Sequence, residues 1–495
     1  MFSAKKLMTL FIIILVYLPV SLDATILHVA VPTLSQSLTL TNNQMLWVID
    51  IYSLIMAGLL LPMGSLGDRI GYKKLMIIGS LIFGIASAFA ALSSGANYLI
   101  FSRLLLAIGA SMILPGTLSC IRDVFEDKQE RNTAIGVWAF VGGVGASAGP
   151  LAGGYILEHC SWPAIFLINI PIVILALLLI IYNMENHGVN NKQSISYYQA
   201  GVVIVSILFI VYGLKSVVHG FRLLDVSILV IGLLMLMSFV RYSLKHERPM
   251  IDFTLLKSKM TTVSVIVIIL SMISVVGFEL LIAQELQFIH HYTPLEAGAF
   301  MFPFILSFSL SSFLVVICLN KFGLKITTTT GLLFGFISLT WLSQIDITES
   351  YTKSAILMIL LGVGLEMAFL SSTSTILSAA PKNKAAAVGA IEGMAYELGA
   401  GLGVTIFGLL LSLFYTRELR NRLPDINNDN LIEYGKSIGE SIQVLDSFSP
   451  ENRDLIFGIF SGSFLDAHGA VLMTASIILF VLAIVVLKVL PQKNC

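Results

Sequence analysis

The sequence predicts an all-α membrane protein of fourteen spans, on three observations: few charges, long apolar runs, and cations gathered in alternate loops. Of 495 residues, 57% are apolar and 12% charged, and the mean hydropathy is +0.91. A soluble domain carries roughly 25% charged residues, so half that share in so long a chain points to lipid as the solvent. Apolar stretches of about 20 residues, each able to cross a bilayer, lie near 8–32, 46–66, 75–93, 98–119, 132–156, 163–182, 200–218, 224–243, 261–288, 297–319, 327–345, 354–378, 386–415 and 468–488. Segments this long satisfy their own backbone hydrogen bonds in lipid as helices, not as barrel strands.

The first run needs one check, because Lys5-Lys6 followed by Leu7–Leu22 imitates a signal peptide. No small-residue cleavage site follows and the run is long enough to span, so it is read as an uncleaved first helix. An even count places both termini on one face. Loops on that face hold Lys5, Lys6, Arg69, Lys73, Lys74, Arg122, Lys128, Arg131, Lys192, Arg241, Lys245, Arg248, Lys257, Lys259, Lys321, Lys325, Lys382, Lys384, Lys488 and Lys493. The opposite short loops offer only Lys215, Arg222 and Lys353. By the positive-inside rule the termini are cytoplasmic. The organisation expected is a six-helix bundle over 1–185, a two-helix insertion with cytoplasmic flanks over 186–258, and a second six-helix bundle over 259–495. A long polar loop near 417–466 belongs to the last of these, outside the membrane, as an irregular segment with one short helix.

Composition also excludes. Zero formal net charge removes any case for nucleic acid or a polybasic surface role. The four cysteines (Cys120, Cys160, Cys318 and Cys495) are scattered, with neither disulfide nor metal-site spacing. The histidines are dispersed, and adjacent His290 and His291 point to different faces of a helix. No nucleophile–base set, metal cluster or large soluble domain is visible, so an enzyme is not expected.

Several strings carry mechanical content. Gly64-Ser65-Leu66-Gly67-Asp68-Arg69-Ile70-Gly71-Tyr72-Lys73-Lys74 reads as a tight turn between spans 2 and 3, its glycines permitting close approach and positive φ. Arg103 sits in an apolar run from Tyr98 to Ile121. A buried arginine is costly and by default functional, pairing with a carboxylate or carbonyls. In span 5, Gly145, Gly149 and Gly153 recur every four residues and form a smooth face for close packing, while Pro150 removes one backbone hydrogen bond.

These strings resemble the motifs of the major facilitator superfamily. Gly64, Asp68, Arg69 and Gly71 match its cytoplasmic gate motif, with departures at Gly67 and Tyr72; Arg103 is similar to the arginine of its helix 4 motif, with Leu106-Ala107 replacing the usual Gln-Gly. Gly145, Gly149, Pro150, Gly153 and Gly154 match the string that marks its exporters. Leu22-Asp23-Ala24-Thr25 with Pro32, Phe166-Leu167-Ile168-Asn169-Ile170-Pro171 and Pro294-Leu295-Glu296-Ala297-Gly298 resemble the fourteen-span drug:proton antiporters over nearly the full chain. Trp47-Val48-Ile49-Asp50-Ile51-Tyr52 and Ile391-Glu392-Gly393-Met394-Ala395-Tyr396-Glu397 narrow this to exporters of quaternary ammonium compounds. The resemblance implies a proton-coupled efflux antiporter for lipophilic organic cations: quaternary ammonium compounds, methyl viologen, cationic dyes and biguanide antiseptics. It also implies a monomer in the bacterial inner membrane, driven by the proton gradient without a cofactor. An exporter of a narrow native metabolite, or a proton-coupled uptake symporter, are the alternatives.

Seven carboxylates fall inside the spans: Asp23, Asp50, Glu279, Glu285, Glu366, Glu392 and Glu397, against one clear intramembrane cation, Arg103. A surplus of acids suits a cationic substrate. Asp23, Asp50, Glu279, Glu392 and Glu397 are the expected substrate- and proton-binding acids, with Arg103 in proton coupling. Glu285 reads as near the outer end of its helix, explained by solvent, and Glu366 as either functional or polar packing. Trp47, Tyr52, Trp138 and Tyr396 could stack on a flat or quaternary cation, or serve as interface anchors and packing. The expected cycle is alternating access, with proton and drug competing for the same acids.

Overall fold

The computed structural model describes residues 3–185, 197–219, 222–245, 253, 258–379, 385–422, 437–445 and 450–490. These residues fold as helices joined by short turns: α1 (Ala4–Ser37), α2 (Asn42–Ile70), α3 (Tyr72–Ala91), α4 (Ala96–Val124), α5 (Lys128–His159), α6 (Ala164–Leu167), α7 (Asn169–Asn183), α8 (Tyr197–His219) and α9 (Leu223–Lys245). After them come α10 (Lys259–Gln284), α11 (Pro294–Leu310), α12 (Ser312–Leu342), α13 (Tyr351–Ala379), α14 (Ala385–Arg422), α15 (Ile438–Leu445) and α16 (Pro450–Val489). Among the described residues, thirteen helical runs are long and apolar enough to cross a membrane, and Pro294–Leu310 is apolar but shorter. Ser311 keeps helical angles between α11 and α12, and the chain turns only at Gly323 (φ 78°, ψ 172°). Residues 294–322 therefore make one run and the rest of α12 the next.

The chain divides into two compact units: Met1–Leu27, Trp47–Leu214 and Arg222–Phe253 in the first, His28–Leu46, Lys215–Phe221 and Thr254–Cys495 in the second. In the first, α3 and α4 touch backbone to backbone. A Cβ on Gly79 would meet the Gly109 carbonyl at 2.9 Å, and one on Gly109 would meet that of Gly79 at 2.8 Å. In the second unit, α12 and α13 repeat the contact, where a Cβ on Gly331 would meet the Gly364 carbonyl at 2.5 Å. A Cβ on Gly399 or Gly403 of α14 would meet the Ile269 or Ile273 carbonyl of α10 at 2.8 or 2.9 Å. Small residues replace hydrophobic driving force where both helices already sit in an apolar medium. The core of the second unit includes Phe278, Phe304, Leu332, Leu365, Phe407, Phe460 and Phe464, all buried.

Four expectations change. The gate string is mostly helix: α2 continues to Ile70, Gly71 alone makes the turn (φ 89°, ψ 147°), and Tyr72 starts α3. The polar loop near 417–466 is shorter than hydropathy suggests, because α14 runs to Arg422 and α16 begins at Pro450, with α15 between them. Its polar residues extend helices beyond the apolar core, which a hydropathy window cannot follow. Lys215, counted with the loop cations, is fully buried within α8. Glu285, expected near solvent, is 2% exposed. The loop cations Lys192, Arg248, Lys257, Lys382, Lys384 and Lys493, together with Cys495, lie outside the described residues.

Candidate functional site: buried acids and their partners

In the first unit the glycine stripe of α5 sits against a matching stripe of α1. Tyr17, Ser21 and Thr25 recur every four residues, so they lie on one face of α1. The Ser21 hydroxyl donates to the Gly142 carbonyl at 2.6 Å and the Thr25 hydroxyl to the Ala146 carbonyl at 2.9 Å. A Cβ on Gly145 would meet Ser21 Oγ at 2.7 Å, and one on Gly153 would meet Ile26 Cγ1 at 2.6 Å. A Cβ on Gly149 would run into Thr25 Oγ1 and meet the Ile26 backbone nitrogen at 3.1 Å. The α5 helix runs on through Pro150, and Gly154 is buried.

This seam fixes α1 so that Asp23 turns toward α4. Asp23 and Arg103 are each 1% exposed, and Arg103 Nη1–H donates to Asp23 Oδ2. Arg103 Nε–H donates to the Val48 carbonyl of α2 at 3.1 Å, and the guanidinium lies 4.5 Å from the centre of the Tyr52 ring. Asn169, also buried, donates from Nδ2–H to the Ser87 hydroxyl at 3.4 Å. Arg103 thus meets a carboxylate, a carbonyl and an aromatic face, the set that makes a buried cation tolerable. Asp50 is buried on α2. Trp138 stacks on Tyr17, centroids 4.6 Å apart and planes 10° from parallel, and its Nε1–H donates to Thr117 Oγ1 at 3.2 Å. Trp47 is half-buried.

In the second unit, Glu279 of α10 stands 2.6 Å from Nδ1 of His28 on α1, both side chains buried. Glu285 opens a π-helical turn, Glu285–Ile289, at the end of α10. Its carboxylate is paired with His468 of α16 and lies 3.4 Å from His290. Glu366 accepts from the Ser312 hydroxyl at 2.7 Å and Glu392 from the Thr373 hydroxyl at 3.2 Å. Glu397 is half-buried, and Tyr396 meets Phe369 edge-on at 5.7 Å while 38% exposed. A pocket of about 330 Å³ is lined by Gln36, Gln287, His291, Arg453 and Phe457 among others, and none of the expected substrate acids reaches it.

The structure therefore brings Asp23, Arg103 and Tyr52 together. Of the gate residues, Gly64, Asp68 and Arg69 ride the last turns of α2. Sequence reasoning missed His28 and His468 as partners of the buried acids. His28 lies within an apolar run, the same signal that singles out the acids. His468 stood at the first residue of the last expected span, whereas α16 starts eighteen residues earlier.

Comparison with known proteins places this geometry. The family model described as Major Facilitator Superfamily matches residues 13–404. The methyl viologen resistance protein SmvA of Salmonella typhimurium is 44% identical over 483 residues, 97% of each chain. The multidrug efflux pump LfrA of Mycolicibacterium smegmatis is 32% identical over 400 residues, 80% of this chain and 79% of its own. A bacterial homologue of the human lysosomal transporter Spinster, inward-facing and unoccupied, shares the fold with a TM-score of 0.71 at 13% identity, covering both chains in full.

Proposed function

Because the chain belongs to the major facilitator superfamily, we propose that it exports lipophilic organic cations in exchange for protons. The substrate class is that of quaternary ammonium compounds, methyl viologen, cationic dyes and biguanide antiseptics. The protein works as a monomer in the bacterial inner membrane, with both termini cytoplasmic.

The observation that carries this reading is the way the buried acids are partnered. Among the described residues, buried Glu366 and half-buried Glu392 are met by hydroxyls, not by cations. A carboxylate in a low-dielectric site needs either a proton or a cation to be tolerable. A hydroxyl partner leaves room for both, so proton and substrate exclude one another at the same group. Competition of this kind couples the inward proton gradient to outward cation movement without any cofactor. Asp23 differs, since Arg103 already neutralises it. Its part is to hand Arg103 between partners as protonation changes. The names of the relatives, a methyl viologen resistance protein and a multidrug efflux pump, support the substrate class.

The test uses everted membrane vesicles and ethidium, with and without a collapsed pH gradient. Gradient-dependent accumulation by the wild type, lost in Glu392→Gln and kept in a Tyr155→Phe control, is the expected result. Accumulation that persists after the pH gradient is collapsed would remove the proton from the scheme.

A further inference from the structure

Building on the proton-coupled reading and its orientation, we infer that His290, Glu285 and His468 form the proton-uptake relay on the extracytoplasmic face. Three features of one turn support it. The helix of α10 widens into a π turn at Glu285, a device that recurs at functional sites. His291 then adopts left-handed angles (φ 56°), an uncommon conformation for a residue with a side chain. The two adjacent imidazoles are thereby sent apart, His291 stacking on Phe457 with centroids 5.3 Å apart and His290 turning back to Glu285.

The order of the groups follows their burial. The His290 side chain is 17% exposed and Glu285 only 3%. His290 Nδ1 faces Thr348 Oγ1 at 3.4 Å, and the Thr348 hydroxyl donates to Asp346 at 2.7 Å on the turn between α12 and α13. His468 is 4% exposed, and its Nε2 is buried with no hydrogen-bond partner among the described residues. A proton from water adds to Nδ1 of His290, and the proton on Nε2 passes to Glu285 Oε1, leaving a neutral imidazole. After its carboxyl turns, Glu285 gives that proton to His468 Nδ1, and His468 releases its Nε2 proton inward. Each group regains its starting charge; both imidazoles are left as Nδ1–H tautomers, which ring rotation resets before the next proton.

Other charges near the turn are occupied. On α11, Glu296 caps its own helix, accepting from the Thr293 backbone N–H at 2.8 Å. On α15, Glu440 accepts from the Asn42 backbone N–H at 2.6 Å. Asp346 acts on His290 through its charge. The Glu285 carboxylate beside it holds the His290 imidazole above its ordinary value, against the opposing effect of burial. Glu279 and His28 form a second imidazole–carboxylate pair six residues earlier on α10, about 9 Å deeper at the helical rise. They are the next acceptors along that helix.

Two readouts test the relay in the full-length protein. In proteoliposomes, Glu285→Gln and His468→Asn should keep ethidium counterflow at equal pH and lose gradient-driven transport by about a hundredfold, as when a positioned proton-transfer group is removed. His290→Asn should shift the dependence on extracytoplasmic pH toward acid. Gradient-driven transport that survives Glu285→Gln, or counterflow lost along with it, overturns the relay. The second readout needs no transport: solid-state NMR of histidine-labelled protein in lipid, following His290. Its titration should fall toward that of a free imidazole in Glu285→Gln, and an unchanged titration overturns the relay. A wild type without gradient-driven transport defeats the exporter reading alone, and the His290 titration then decides the relay by itself.

Discussion

Asp23 and Arg103 bind each other inside the first unit, both buried. Removing one member of such a pair leaves the other uncompensated, at a cost of about 3–5 kcal/mol. Asp23→Asn should therefore lower thermal stability in detergent as well as abolish export of dications. Asp23→Asn combined with Arg103→Met should regain most of the stability and none of the export; a double variant no more stable than the single one contradicts this. At His290 the folded imidazole lies above its ordinary value of 6.5. A raised value means the link to Glu285 stabilises fully below pH 6.5 and is lost as pH rises through the folded value. The melting difference between wild type and His290→Asn should accordingly shrink from acid to alkaline buffer, and a difference that grows refutes the link. That Arg103 needs a carboxylate or carbonyl was legible from its apolar surroundings. Which carboxylate was not, because seven acids compete and the one chosen lies 80 residues away.

Helices α1 and α5 show how much a four-residue period conveys and where it stops. Spacing alone marked Gly145, Gly149 and Gly153 as a packing face, but the partner was hidden in an unremarked stripe of Tyr17, Ser21 and Thr25. Gly149→Val places a branched side chain against Thr25 and the Ile26 backbone, where no flexible group can yield. Loss of folded protein on size-exclusion chromatography is the expected outcome, and a normally folded, fully active variant would contradict the seam. At the start of α11, the string Pro294-Leu295-Glu296 proves to be a capping box, with Pro294 in the first turn and Glu296 reciprocating Thr293. Thr293→Ala should cost about 1 kcal/mol, read as a lowered midpoint in thermal denaturation. Here the sequence signal was local and complete, since every partner lies within four residues.

Across the whole chain, the same glycine contacts occur twice. Gly79 with Gly109 is answered by Gly331 with Gly364, and Gly145 with Gly149 by Gly399 with Gly403, at separations of about 254 residues. Fusing cytoplasm-dependent reporters to each end tests the orientation: both should be active, and activity at one end only would break the even count. The all-helical architecture was legible because the apolar runs are long and bounded by charge or glycine. The reach of α14 and α16 was not, because their polar ends obey helix propensity and capping rather than hydropathy. The single-residue turn at Gly71 has a mechanical consequence. A joint of one residue has no slack, so α2 and α3 can pivot about it but cannot slide past each other. Any displacement of α2, which carries Asp50 and the carbonyl that holds Arg103, arrives at α3 undiminished, as a crank turns the shaft it is pinned to.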